Sequence, residues 1–179
     1  MAFPYSAGDV LTAADLNQSS GLVHVKTQTI GTGVSSVTVT DAFSSTFDNY
    51  RVSIDGVASS AGTNMMIALG TSLTGSGYYG SFLYDNYAGP ALGIARLVNA
   101  SNLYLGALGV LSENFYKVEI TNPFVSDRTG FATTSYGSSA SGWSNGTNAS
   151  SSSFTAFTIG GQSGTMTGGT IRVYGYNNG

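Results

Sequence analysis

Apolar and polar positions alternate with a period of two along most of this chain, which is the signature of half-buried β-strands. Val23, Val25, Thr27 and Thr29 alternate with His24, Lys26 and Gln28. A turn over Gly31 to Gly33 follows, and Val37 and Val39 open a second strand, so the first pair reads as a hairpin. Tyr50, Val52 and Ile54 are set against Arg51, Ser53 and Asp55, a strand with one face in the core and one polar face. Met65, Ile67 and Leu69 continue the pattern. It returns in Leu103 to Leu111, in Tyr116, Val118 and Ile120, in Phe131 to Tyr136, in Thr155, Phe157 and Ile159, and in Ile171 and Val173. Between Gly70 and Asn102 the glycines break up any long element, and only weak strands are expected near Ser81 to Leu83 and Ala91 to Val98. Gly137 to Ser153 is a Ser/Gly/Asn run read as a long surface loop. The pairs Gly160-Gly161 and Gly168-Gly169 fit hairpin connections.

About nine or ten short strands with turn signals between them and almost no helix define an all-β chain. The expected fold is an antiparallel β-sandwich over residues 21–179, of the jelly-roll type because the long loops suit Greek-key crossovers. Residues 1–20 stand apart as an N-terminal arm. It has an aromatic tip at Phe3 and Tyr5, a turn at Gly8 and Asp9, and one helical turn started by Thr12 as N-cap with Asp15 near its positive end. Such a turn is far too short to be stable alone, so the arm must dock on something. Phe3, Tyr5, Val10, Leu11 and Leu16 are its contact residues.

Composition narrows the function. The chain has 179 residues and no cysteine, which excludes a disulfide framework and thiolate chemistry. Charged residues make up 8%, against a usual share of roughly 25%, so little charge would have to be desolvated where subunits meet. With a net charge of −3 and six basic residues, a nucleic-acid partner is not expected. Neither a signal peptide nor an apolar run of membrane-spanning length is seen, and the chain reads as made in the cytoplasm and not inserted in a membrane.

No catalytic constellation emerges, and the chain is read as non-enzymatic, without cofactor or metal. The lone His24 has no second histidine or cysteine at metal-ligand spacing and reads as a surface or interface residue. In a Ser-rich chain with one histidine, Ser–His pairings are expected by accident, and no setting for a nucleophilic serine is read. Glu113 and Glu119 are the best carboxylate pair for a glycosidase and rank as a remote alternative. Two groups stand out as contact surfaces. Tyr78, Tyr79, Phe82, Tyr84 and Tyr87 crowd one Gly-rich segment, suited either to a saccharide or protein contact or to packing under a loop or between subunits. Trp143, the only tryptophan, could stack on a sugar ring or anchor its own loop.

Residues 5–17, Tyr-Ser-Ala-Gly-Asp-Val-Leu-Thr-Ala-Ala-Asp-Leu-Asn, resemble the N-terminal segment of many tailed-bacteriophage tail and fibre proteins. Residues 168–176, Gly-Gly-Thr-Ile-Arg-Val-Tyr-Gly-Tyr, resemble the last strand of phage β-sandwich or jelly-roll virion domains. The resemblance implies a virion component, most often a homotrimer, that attaches to other virion proteins by its N-terminal segment and displays its sandwich outward. No internal repeat of a fibre shaft is present, so a short tail fibre or adhesin contacting a host glycan or protein is the first expectation. A head-decoration protein is the second.

Overall fold

The computed structural model describes residues 8, 10, 12, 21–89 and 92–177. Fourteen strands are found among them: β1 (Leu22–Thr29), β2 (Thr32–Val34), β3 (Ser36–Val39), β4 (Asn49–Ser59), β5 (Thr63–Leu69), β6 (Tyr78–Asn86), β7 (Leu92–Ala100), β8 (Leu103–Leu108), β9 (Asn114–Thr121), β10 (Thr129–Tyr136), β11 (Ala140–Asn148), β12 (Phe157–Gly161), β13 (Met166–Thr167) and β14 (Thr170–Tyr176). Every pairing is antiparallel. A ten-stranded sheet follows the order β1-β14-β4-β9-β10-β11-β6-β7, with β13 also paired to β4 and β2 to β13, and a four-stranded sheet follows β3-β12-β5-β8. The two sheets pack face to face as a β-sandwich. This uneven division does not by itself make the fold a jelly roll.

The core is what the clearest alternation promised. Tyr50, Val52 and Ile54, Tyr116, Val118 and Ile120, and Ile171 and Val173 all point inward from the large sheet. Met65, Ile67 and Leu69, Phe157 and Ile159, and Leu103, Leu105 and Leu108 meet them from the small one. Burying each large apolar side chain contributes about 1.5–3 kcal/mol. Tyr50 brings a hydroxyl into this core and satisfies it on one residue, accepting from Ser44 N (2.8 Å) and donating to Ser44 O (2.9 Å). The opposite face of β4 is polar. Arg51 Nε donates to Glu119 Oε1 (2.6 Å) and Arg172 pairs with Asp55 (2.8 Å).

Several expectations fail for identifiable reasons. β1 and β3 do not form a hairpin: β1 pairs with β14 in the large sheet and β3 with β12 in the small one. Thr32–Val34 instead forms β2 against β13 as the chain crosses between the sheets. A bulge between His24 and Lys26 also reverses the alternation of β1, so Lys26 and Gln28 are half-buried while Thr27 and Thr29 are exposed. Neither glycine pair closes a hairpin. Gly168 and Gly169, at φ +70 and +92, form a kink opposite the β4 bulge at Gly56, and β13 and β14 run on beside β4 as one interrupted strand. Residues 70–102 are more regular than expected, with two full strands of nine residues, β6 and β7.

The largest correction concerns Gly137 to Ser153. Ala140–Asn148 is no loop but strand β11, paired along its whole length with β10 and β6. Its inward positions are Ala140, Gly142, Ser144, Gly146 and Asn148, so the strand has a period of two without a large apolar side chain to reveal it. Small residues are required there because β8 packs directly on top; a Cβ at Gly146 would lie 2.6 Å from Leu103 Cδ1. Phe3, Tyr5, Leu11, Leu16 and, apart from its N-cap Thr12, the proposed helical turn lie outside the described residues, and Val10 is 88% exposed.

Candidate functional site

Strand geometry divides the aromatic segment that sequence treated as one cluster. On β6 successive side chains take opposite faces. Tyr78 and Phe82 are core residues, with Tyr78 packed near Phe131 (6.2 Å between ring centroids) and its hydroxyl accepting from Leu69 N (2.6 Å). Burial pushes the Tyr78 hydroxyl up to about 12. Tyr84 follows on the same face but is only half-buried, stacked on Phe82 at 5.0 Å and 22°. Tyr79 takes the outer face, and Tyr87 lies exposed in the turn beyond the strand, where its N–H donates to Ser139 O (3.1 Å). These five residues therefore do not form one binding surface.

Trp143 belongs to a different group. It projects from the outer face of β11, 52% exposed, and register places it beside Leu83 of β6, which is opposite Ile94 of β7 (74% exposed). The neighbouring row carries Leu92 (64% exposed) at the β7 edge and, three strands further along beyond Asp85 and Ser141, Tyr136 (57% exposed) stacked on Phe115 at 5.1 Å. Neighbouring strands lie about 4.8 Å apart, so the rows from β7 to β9 extend over roughly 19 Å. Ile94, Leu83 and Trp143 are direct cross-strand neighbours, with Leu92 two residues from Ile94 and Tyr136 diagonal to Trp143, so they form one apolar patch interrupted in the second row by Asp85 and Ser141. Sequence reasoning found Trp143 and missed Leu83, Leu92, Ile94, Phe115 and Tyr136, because their adjacency depends on pairings between distant segments.

Toward β4 and β14 the outer face carries ion pairs and hydrogen bonds. Glu119 is held by Arg51 and accepts from the Tyr176 hydroxyl (2.7 Å), which in turn accepts from Arg51 Nη2 (2.7 Å). The Tyr176 hydroxyl is raised from its ordinary value by burial and by the Glu119 carboxylate. Glu119 is thus an ion-pair partner within the sheet, and Glu113 is exposed just before β9. His24 lies against Tyr174 (5.7 Å, edge-on) and bonds Thr27. Among the described residues no three His, Cys, Asp or Glu side chains gather to hold a metal, and no helix is long and apolar enough to cross a membrane.

A second feature opens on the other side of β6. Where the β6–β7 ribbon extends past β8, the last strand of the small sheet, a cleft of about 690 Å³ opens between the sheets. Phe82 and Tyr84 line it together with residues of the β4–β5, β10–β11 and β12–β13 connections. The molecule is thus a β-sandwich with an aromatic outer sheet face and a polar cleft at one end. Comparison with protein-family models, with characterised proteins and with solved structures gives no match.

Proposed function

We propose that this chain is a non-enzymatic structural component of a bacteriophage virion, held to other virion proteins by residues 1–20 and presenting its sandwich outward, as a homotrimer. The phage assignment rests on the resemblance of residues 5–17 and 168–176. The geometric support for a contact role is the patch of Trp143, Leu83, Ile94, Leu92 and Tyr136. Apolar surface of this extent is costly to leave in water and marks a place of contact. A tail-associated short fibre or adhesin is the favoured form, with this face or the cleft turned to the host surface.

Capsid decoration is the second reading. The patch would then cover a neighbouring capsid protein, and the few charges on the face suit that as well. Labelled antibody against the sandwich separates the two by decorating tails or heads. Deleting residues 2–18 is expected to leave the purified sandwich folded and absent from particles; incorporation of the truncated chain at normal copy number would refute the arm's role. Turnover of host glycan that Glu113→Gln or Glu119→Gln abolishes would overturn the non-enzymatic reading.

A further inference from the structure

The cleft beside β6 has a lining of unusual chemistry. Asn64, Asn86 and Gln162 supply amides, Ser139 and Ser163 supply hydroxyls, Tyr84 supplies an aromatic wall, and among the described residues no Asp, Glu, Lys, Arg or His borders it. Part of the lining is fixed in advance. Asn64 Nδ2 donates to Gln162 Oε1 (3.0 Å), the Gln162 N–H donates to Asn64 O (2.9 Å), and Ser163 Oγ donates to Thr63 Oγ1 (3.2 Å). Asn86 Oδ1 accepts from Ala88 N (3.1 Å), which orients its amide. Four polar groups then have no partner among the described residues: Asn64 Oδ1, Asn86 Nδ2, Ser139 Oγ and the Tyr84 hydroxyl. They supply both donors and acceptors around one opening.

The Tyr84 ring is positioned by what surrounds it. Phe82 backs it from the core, and Gly93, its cross-strand partner on β7, leaves the space the ring occupies; a Cβ at Gly93 would clash with Cζ, Cε1 and Oη of Tyr84. A glycine within an edge strand weakens the strand, and here, one residue in from the start of β7, it makes room for an aromatic wall.

We infer that this cleft binds a neutral oligosaccharide, with the face of one sugar ring against Tyr84 and its hydroxyls bonded by Asn64, Asn86 and Ser139. A sugar hydroxyl both donates and accepts, which matches side-chain amides and hydroxyls, and the carbon face of a pyranose is apolar enough to lie on an aromatic ring. A charged ligand would find no counter-ion to offset its desolvation. The volume falls within the roughly 300–1,000 Å³ of ligand sites. The inference deepens the host-surface reading above and rests on it for its biological setting, whereas the binding belongs to the cleft alone.

The purified full chain, labelled with ¹⁵N, is titrated with cellotriose, mannotriose, maltotriose and chitotriose, with sialyllactose as the charged control. At least one neutral trisaccharide is expected to shift the side-chain amide resonances of Asn64, Asn86 and Gln162, and Tyr84→Ala to weaken its binding at least about tenfold. Asn86→Ala, at an exposed position, is expected to do the same should Tyr84→Ala disturb folding, whereas Trp143→Ala, on the opposite face, leaves the affinity within about twofold. The proposal is overturned if no neutral trisaccharide shifts those amides, if sialyllactose alone does, or if Trp143→Ala abolishes binding while the cleft variants retain it. Binding by purified protein with unchanged adsorption of particles carrying Asn86→Ala would keep the cleft and remove the host-surface reading.

Discussion

Asn114 offers the sharpest test of how this sandwich is held together. It is the first residue of β9, is 1% exposed, and reaches two other segments of the chain. Its Oδ1 accepts from Gly109 N (2.9 Å), and its Nδ2 lies within bonding distance of Val57 O (2.9 Å), Gly109 O (3.0 Å) and Leu111 O (2.7 Å). Two amide hydrogens serve three carbonyls, so one bond is shared. The side chain thereby pins the β8–β9 turn to β4 just past its bulge. Asn114→Leu keeps the approximate shape and removes every one of these bonds. Each net hydrogen bond is worth about 0.5–1.5 kcal/mol, and each buried group left without a partner costs about 1–3 kcal/mol. With Gly109 N and the carbonyls partly rescued by relaxation, the loss is about 3–5 kcal/mol. At about 2–4 °C per kcal/mol for a chain of this size, Tm falls by roughly 6–20 °C. Asn114→Asp adds a sign test, because an ionised carboxylate would face carbonyl oxygens. Its folded pKa is raised above the ordinary 3.9 or so, so the ionised form is disfavoured. Stability relative to wild type is then lowest near neutrality and recovers as pH falls and the carboxyl protonates. Urea denaturation and thermal melts followed by circular dichroism at about pH 7 and pH 4 measure both effects. A Tm within about 2 °C of wild type for Asn114→Leu, or a penalty in Asn114→Asp that does not change with pH, would refute the reasoning.

Two further outcomes follow from buried polar groups. Thr133 and Ser144 face each other across β10 and β11, buried, with neither hydroxyl bonded to any described residue. Thr133→Val keeps the branched shape and is expected to stabilise the fold by about 1 kcal/mol in denaturant titration, and a loss above about 0.5 kcal/mol would show that the hydroxyl is bonded. The second concerns alkaline pH. Burial raises the hydroxyls of Tyr78, to about 12, and Tyr116, whose Oη donates to Ala107 O (2.6 Å). A phenol raised in the fold contributes stability that is complete below its unfolded value near 10 and is lost as pH climbs above it, at up to about 1.4 kcal/mol per pH unit for each group. Tyr116→Phe should therefore flatten the fall in stability between about pH 10 and 11.5 by that slope, and an unchanged slope would mean that this hydroxyl titrates normally.

Strands whose inner face carries large apolar residues are legible from the sequence. β4, β5, β9, β12 and β14 each show their side assignment in the alternation itself, and the core they build contains the residues the pattern named. A bulge defeats the same logic, since one extra residue in β1 exchanges its two faces from Lys26 onward. Pairing is less accessible. Whether β3 joins β1 or β12 is decided by segments over a hundred residues away, and a local pattern contains no term for them.

β11 shows why the candidate sites are harder still. Its hydrophobic signal is absent because the strand lies beneath β8, where only Gly, Ala and Ser leave room for Leu103 and its neighbours, so close packing erased the pattern used to detect packing. Read as a loop, Trp143 has no neighbours; as part of a strand, it has Leu83 on one side and Thr134 on the other, and the apolar patch follows from register alone. The period of small residues inward and Ser141, Trp143, Asn145 and Thr147 outward is nonetheless present in the sequence. The cleft has no such signal, because Asn64, Asn86, Ser139 and Gln162 come from separate segments that meet only when the β6–β7 ribbon extends past the edge of the small sheet. Of its lining, only Phe82 and Tyr84 can be picked out by residue type, and the alternation of β6 assigns both to the inner face, away from Tyr79. Residue type therefore identifies the aromatic wall, while the topology of two unequal sheets supplies the polar groups that face it.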